Sequence, residues 1–116
     1  MNWTAFNDLS QIGEINKKSF ELPVIIFKHS TRCSISAMAK SRLERQWDES
    51  ALPRVEAYYL DLIAHRDISN SLATELGVYH ESPQVIIVAD GKAVYDDSHM
   101  AISFSAIQEA LTSAVG

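Results

Sequence analysis

Val24-Ile25-Ile26-Phe27 is an unbroken apolar run, mostly β-branched, and it feeds through the polar stretch Lys28–Arg32 into a helical pattern. A run with no polar residue has no solvent side, so it reads as a strand buried on both faces. Such a strand requires helices above and below its sheet. Pro23 opens it, and the following segment, Ser34–Trp47, reads as a helix. Ile35, Met38, Ala39, Arg42 and Leu43 recur there at helical spacings, with Pro53 beyond the end.

The rest of the pattern fits around this unit. Asn7-Asp8 is suited to cap a first helix whose apolar stripe, Leu9, Ile12 and Ile15, runs to about Ser19. Val55–Leu62 reads as a second strand, and Ile68, Leu72 and Leu76 mark a helix that stops at Gly77. Val85–Val88 is a further strand, Asp90-Gly91 a hairpin turn, and Lys92–Tyr95 the returning strand. A last amphipathic helix starts near Ser103, with Phe104, Ile107 and Leu111 inward. The order is α-β-α-β-α-β-β-α. Its β-α-β half implies a right-handed parallel crossover, and the hairpin adds an antiparallel strand. The expected fold class is α/β, a mixed four-stranded sheet with helices on both faces. With 116 residues, no repeat and no Pro- or Gly-rich linker, residues 1–116 read as a single domain.

Cys33 is the only cysteine, and it sits where the helix after the first strand begins. Helix-starting amides and the positive dipole end stabilise a thiolate, the setting in which thiols ionise below their usual pKa of about 8.5. A lone cysteine rules out an internal disulfide. No basic-then-apolar leader and no membrane-length apolar run is present, so the cytoplasm is the default compartment and no membrane partner is expected. The net charge of -5 speaks against nucleic acid. Cys33 and the scattered His29, His65, His80 and His99 lack paired ligand spacing, so no metal is expected. Trp3, Trp47, Tyr58 and Tyr59 read as core or helix-edge packing.

This order of elements, with a cysteine at the first strand-to-helix junction, resembles the thioredoxin fold over nearly the whole chain. Gly77-Val78-Tyr79-His80-Glu81-Ser82-Pro83, followed by a strand, is similar to the thioredoxin loop whose proline is cis and faces the cysteine. The resemblance implies that role for Pro83, and makes the backbone amide of Ser82 the partner of a docked substrate. The local motif Phe27-Lys28-His29-Ser30-Thr31-Arg32-Cys33-Ser34-Ile35-Ser36 resembles the monothiol bacilliredoxin family, which reads Thr-Cys-Pro-Ile-Ser or a near variant. Cys33, Ile35 and Ser36 match. Ser34 stands where proline, which would pre-set the first helical turn, is expected.

The resemblance implies thiol–disulfide exchange with Cys33 as attacker. Ser36 occupies the place of a dithiol enzyme's resolving cysteine; its hydroxyl can hydrogen-bond the Cys33 thiolate but cannot form a disulfide. The product is then a mixed disulfide with a low-molecular-weight thiol. The family supplies bacillithiol as that co-substrate, with no bound cofactor, and bacillithiol-capped client proteins as partners. Thr31, Arg32, Ser34, Ser82 and Pro83 are the implied substrate-binding residues, with Arg32 placed to pair with the malate carboxylates. His29 and His80 are candidate tuning groups. Arg32, Lys40, Arg42 and Arg45 form a basic stretch countered by Glu44. Ser34-Ile35 replaces the Gly-Phe of cluster-binding monothiol glutaredoxins, and Ser30 stands where a peroxiredoxin carries threonine. The alternative from another class is a thioredoxin-fold binding or redox-sensing module whose cysteine is not catalytic.

Overall fold

The computed structural model describes residues 3–115. Its sheet has the strand order β1-β3-β2-β4-β5, with β1 at Thr4–Ala5, β2 at Val24–His29, β3 at Glu56–Asp61, β4 at Gln84–Ala89 and β5 at Lys92–Ser98. β2 runs parallel to β1's neighbour β3 and antiparallel to β4, and β4 and β5 form the hairpin. The sheet thus has five strands where the sequence suggests four. β1 holds only two residues, too few to show a period. It exists because Thr4 and Ala5 pair with Tyr58 and Tyr59.

Helices α1 (Gln11–Lys18), α2 (Ser34–Gln46), α3 (Arg66–Leu76) and α4 (Phe104–Val115) cover both faces. Val24, Ile26, Tyr58, Leu60, Ile86 and Val88 meet Ile15 of α1 and Ile68 and Leu72 of α3. On the other face Ile25, Phe27, Val85 and Ile87 meet Ala39 and Leu43 of α2 and Ile107 and Leu111 of α4. Alternate residues of one strand therefore feed two separate cores, and this explains the unbroken apolar run.

Three details depart from the sequence reading. The first helix begins at Gln11 because a turn comes first: Asp8 Oδ1 accepts the Ser10 N–H at 2.8 Å, and Gln11 Oε1 accepts those of Asn7 and Asp8. Leu9 lies in that turn and is 47% exposed, so it is outside the apolar stripe. Ile35 and Met38 are on the solvent side of α2, at 50% and 64% exposure, while Ala39 and Leu43 face the core.

Two glycines are demanded by the backbone. Gly77 ends α3 in the left-handed region, at φ 65. In the hairpin, Asp90 and Gly91 both have positive φ, and Gly91 N–H donates to Ser19 Oγ at 2.9 Å. Among the described residues no helix is long and apolar enough to cross a membrane.

Candidate active site

Cys33 is the N-cap residue of α2, extended at φ -109 and ψ 119, partly exposed and free. A tight turn presents it: the Cys33 N–H donates to Ser30 O, and Cys33 O accepts the Ala37 N–H, each at 3.1 Å. No side chain caps the first amides of α2, and no acidic residue lies in its first turn. The positive dipole end of α2, where Cys33 sits, is therefore not offset by a carboxylate from the helix's own first turn. Thr31, Arg32 and Ser34 flank the cysteine and are exposed.

Beneath the turn, Ser36 and His29 are buried, at 0% and 6% exposure. Ser36 Oγ lies 2.5 Å from His29 Nδ1 and accepts the Ser30 N–H at 3.1 Å. Burial first, then the Lys40 ammonium, holds the His29 ring below its usual range, against the opposing pull of Asp61 and Glu44. In the tautomer that leaves Nδ1 unprotonated, Ser36 donates its single proton to His29 and accepts from Ser30. No hydrogen bond joins Ser36 to the Cys33 sulfur among the described residues. The sequence turns this hydroxyl toward the thiolate; the structure turns it toward the end of β2. A buried ring two residues beyond Phe27, on the same face, creates a partner for it that spacing alone does not reveal.

His29 is braced from the side. Its ring lies 5.6 Å from that of Tyr59, and Lys40 Nζ stands 5.3 Å over the Tyr59 ring. Lys40 also pairs with Glu44 at 3.1 Å, and Glu44 accepts the Trp3 indole N–H at 2.9 Å. Arg42 donates to Ile102 O at 2.7 Å. Lys40 and Arg42 are thus engaged in the fold, and Arg32 is the basic residue of this stretch that adjoins Cys33. Trp3 packs near Phe27 and Tyr59, at ring distances of 5.8 and 6.3 Å.

The loop after α3 brings in the remaining residues. Lys28 pairs with Gln84 across the antiparallel β2–β4 ladder, so the residues that end and follow β2 and the Ser82-Pro83 segment that leads into β4 lie at the same end of the sheet. The Ser82–Pro83 peptide bond is cis. Pro83 O accepts the His99 N–H at 3.0 Å, and His99 Nε2 lies 2.8 Å from the Glu81 carboxylate. His80 points elsewhere. Its Nδ1 lies 3.0 Å from Ser69 Oγ on α3, and burial, with Lys28 and Arg66 nearby, lowers its pKa. Cys33, Ser36, His29, Ser82 and Pro83 therefore share one end of β2 and β4, whereas His80 is held from the opposite side of the sheet. His65 is the N-cap residue of α3, with no side-chain capping bond. Sequence reasoning passed over Lys28, which is fully buried. Its alternation with Val24 and Ile26 was the available signal. Among the described residues no group of three or more His, Cys, Asp or Glu is arranged to hold a metal.

Comparison with known proteins places this geometry. A solved structure described as a candidate oxidoreductase with a thioredoxin fold is 28% identical, covers 91% of this chain and 90% of its own, and superposes with a TM-score of 0.78. Thioredoxin from Malassezia sympodialis is 19% identical, with coverages of 99% and 92% and a TM-score of 0.72. Fasciola hepatica thioredoxin is 14% identical, with coverages of 95% and 97% and a TM-score of 0.70. The last two establish the fold. The sequence profile for the monothiol bacilliredoxin BrxC matches residues 4–107. With that match over a thioredoxin fold that presents one cysteine at a helix N-terminus, the chain belongs to the monothiol bacilliredoxin family, and its chemistry is thiol redox chemistry.

Proposed function

We propose that this protein removes bacillithiol from capped client cysteines through a Cys33–bacillithiol mixed disulfide. The Cys33 thiolate attacks the bacillithiol sulfur of the capped client. A new S–S bond forms, the old one breaks, and the client sulfur leaves as a thiolate with the electron pair. A second bacillithiol thiolate then attacks the same sulfur, regenerating Cys33 and releasing bacillithiol disulfide. With one cysteine in the chain, a second small thiol must close the cycle.

The observation that carries this reading is the placement of Cys33: partly exposed, at the N-cap of α2, at the same end of the sheet as the Ser82–Pro83 turn. The Ser82 N–H is a donor for the backbone of a docked client, and exposed Arg32 is a partner for bacillithiol carboxylates. Thr31 and Ser34 supply hydroxyls beside the sulfur. Ser36 and His29 act by holding the turn. The client proteins, the small thiol and a reducing cytoplasmic setting all belong to this proposal.

Intact-protein mass spectrometry after mixing the reduced protein with a bacillithiol-capped client, beside a glutathione-capped control, tests it. The expected result is a bacillithiol adduct on Cys33 and a freed client thiol. Preference for glutathione would overturn the choice of thiol. No adduct from either client would favour a non-catalytic binding or redox-sensing module.

A further inference from the structure

Lys28 is wholly buried, at 0% exposure, and its Nζ has no hydrogen-bond partner among the described residues. Two other buried side-chain atoms share that condition, Ser82 Oγ and Gln84 Oε1. The ladder brings two of them together, and Ser82 belongs to the segment that leads into the same strand. Lys28 and Gln84 stand directly opposite each other across the β2–β4 ladder, so their side chains leave the sheet on one side. Ser82 lies two residues before Gln84, at the outer end of β4. Gln84 Nε2 donates to Tyr79 O at 3.0 Å, which folds the 77–83 loop inward and leaves the amide oxygen as the unsatisfied atom. The Lys28 charge is felt at His80 in the same loop. Neither ion pair among the described residues involves Lys28.

A buried cation and two buried polar atoms without partners are costly, and solvent is the ordinary remedy. We infer that Lys28, Ser82 and Gln84 hold one internal water beneath the 77–83 loop, and that Lys28, through this water, is a positioning residue for the Ser82–Pro83 turn. The second half rests on the exchange reading above. The donor–acceptor pattern selects water. Lys28 only donates, the Gln84 amide oxygen only accepts, and the Ser82 hydroxyl does both. A water accepts from Lys28 and donates to Gln84, with a further bond to Ser82. A chloride or carboxylate satisfies Lys28 and Ser82 but meets the lone pairs of the Gln84 oxygen. The bridge ties the end of β2, just before the cysteine turn, to the segment whose amide receives the client.

Crystal structures of the reduced wild-type protein and of Lys28→Met, at a resolution that shows ordered solvent, test the site. The expected wild-type result is one solvent peak within about 3 Å of Lys28 Nζ, Ser82 Oγ and Gln84 Oε1. A direct Lys28–Gln84 hydrogen bond with no peak, or a peak that bromide replaces, would overturn it. Steady-state transfer from a bacillithiol-capped client tests the positioning. Lys28→Met should raise KM about fivefold, the loss of roughly one hydrogen bond's worth of order in the turn, with kcat within about twofold. Lys28→Gln, which keeps a donor, should recover part of the KM. A fall in kcat at unchanged KM would overturn the positioning role. If the wild-type protein transfers nothing, the exchange reading and the positioning role fall together, while the solvent peak still decides the water site.

Discussion

The Ser36 hydroxyl lies 2.5 Å from His29 Nδ1, beneath the turn that presents Cys33. It also accepts the Ser30 N–H, so one buried oxygen ties the last residue of β2, the turn and the first turn of α2. The position that carries a second sulfur in dithiol relatives here carries a clamp. Removing it should loosen the presentation of the thiol more than its nucleophilicity. Ser36→Ala leaves the Ser30 N–H and the His29 nitrogen without their partner, and should lower unfolding stability by about 1–3 kcal/mol. The urea midpoint at constant slope measures this, and an unchanged midpoint would argue against the clamp.

Cys33→Ala should abolish bacillithiol transfer and leave the fold intact. The thiol is partly exposed and makes no side-chain hydrogen bond among the described residues. Far-ultraviolet circular dichroism and the thermal midpoint should match wild type. Appreciable residual turnover would refute the assigned nucleophile, since no other cysteine exists in the chain.

Acid and base should act on stability through different residues. His29 titrates below its ordinary 6.5 in the folded protein, so the unfolded chain binds its proton first as the pH falls. Stability should therefore decrease from about pH 6.5 downward, and His29→Gln should shallow that decrease. His80, lowered likewise, leaves part of the slope in that variant. Lys28 is lowered from 10.5 to about 8, so the unfolded chain holds the extra proton between those values. Stability should rise as the pH rises from about 8 toward 10, and Lys28→Met should remove the rise. Above pH 10 Tyr95, raised from 10.0 to about 12, opposes it because the unfolded chain ionises first. Urea midpoints across the pH range test each slope.

Gly77 and Gly91 should respond differently to alanine. Both have positive φ, at 65 and 74, so each substitution should cost about 1–2 kcal/mol in backbone strain. A Cβ at Gly77 meets nothing within 4 Å, whereas at Gly91 it comes within 2.9 Å of Phe20 Cζ and 3.1 Å of Asn16 Oδ1. Phe20 is 62% exposed and free to swing aside, so the added cost at Gly91 should be small but measurable. Equal midpoints for the two variants would contradict the close approach.

The order of elements was legible because each followed from a local pattern: the apolar run Val24–Phe27, the four-residue spacing of Ile68, Leu72 and Leu76, and Asp90-Gly91. Cys33 at a helix start was legible for the same reason. β1 was not, because its two residues are a strand only by pairing with Tyr58 and Tyr59. The solvent-facing side of Ile35 and Met38 was set by which flank of α2 meets the sheet.

By itself the sequence determined the α/β order, the single cysteine and the absence of a second thiol to pair with it, since these depend on residue identity and short-range periodicity. Only the tertiary structure decided what Ser36 bonds to, that His80 is held by Ser69 from the other side of the sheet, and that Lys28 is buried opposite Gln84. Those are contacts between residues distant in sequence or placed by strand register. A hydrogen bond is fixed by geometry within a few tenths of an ångström, and no local pattern of side chains encodes that.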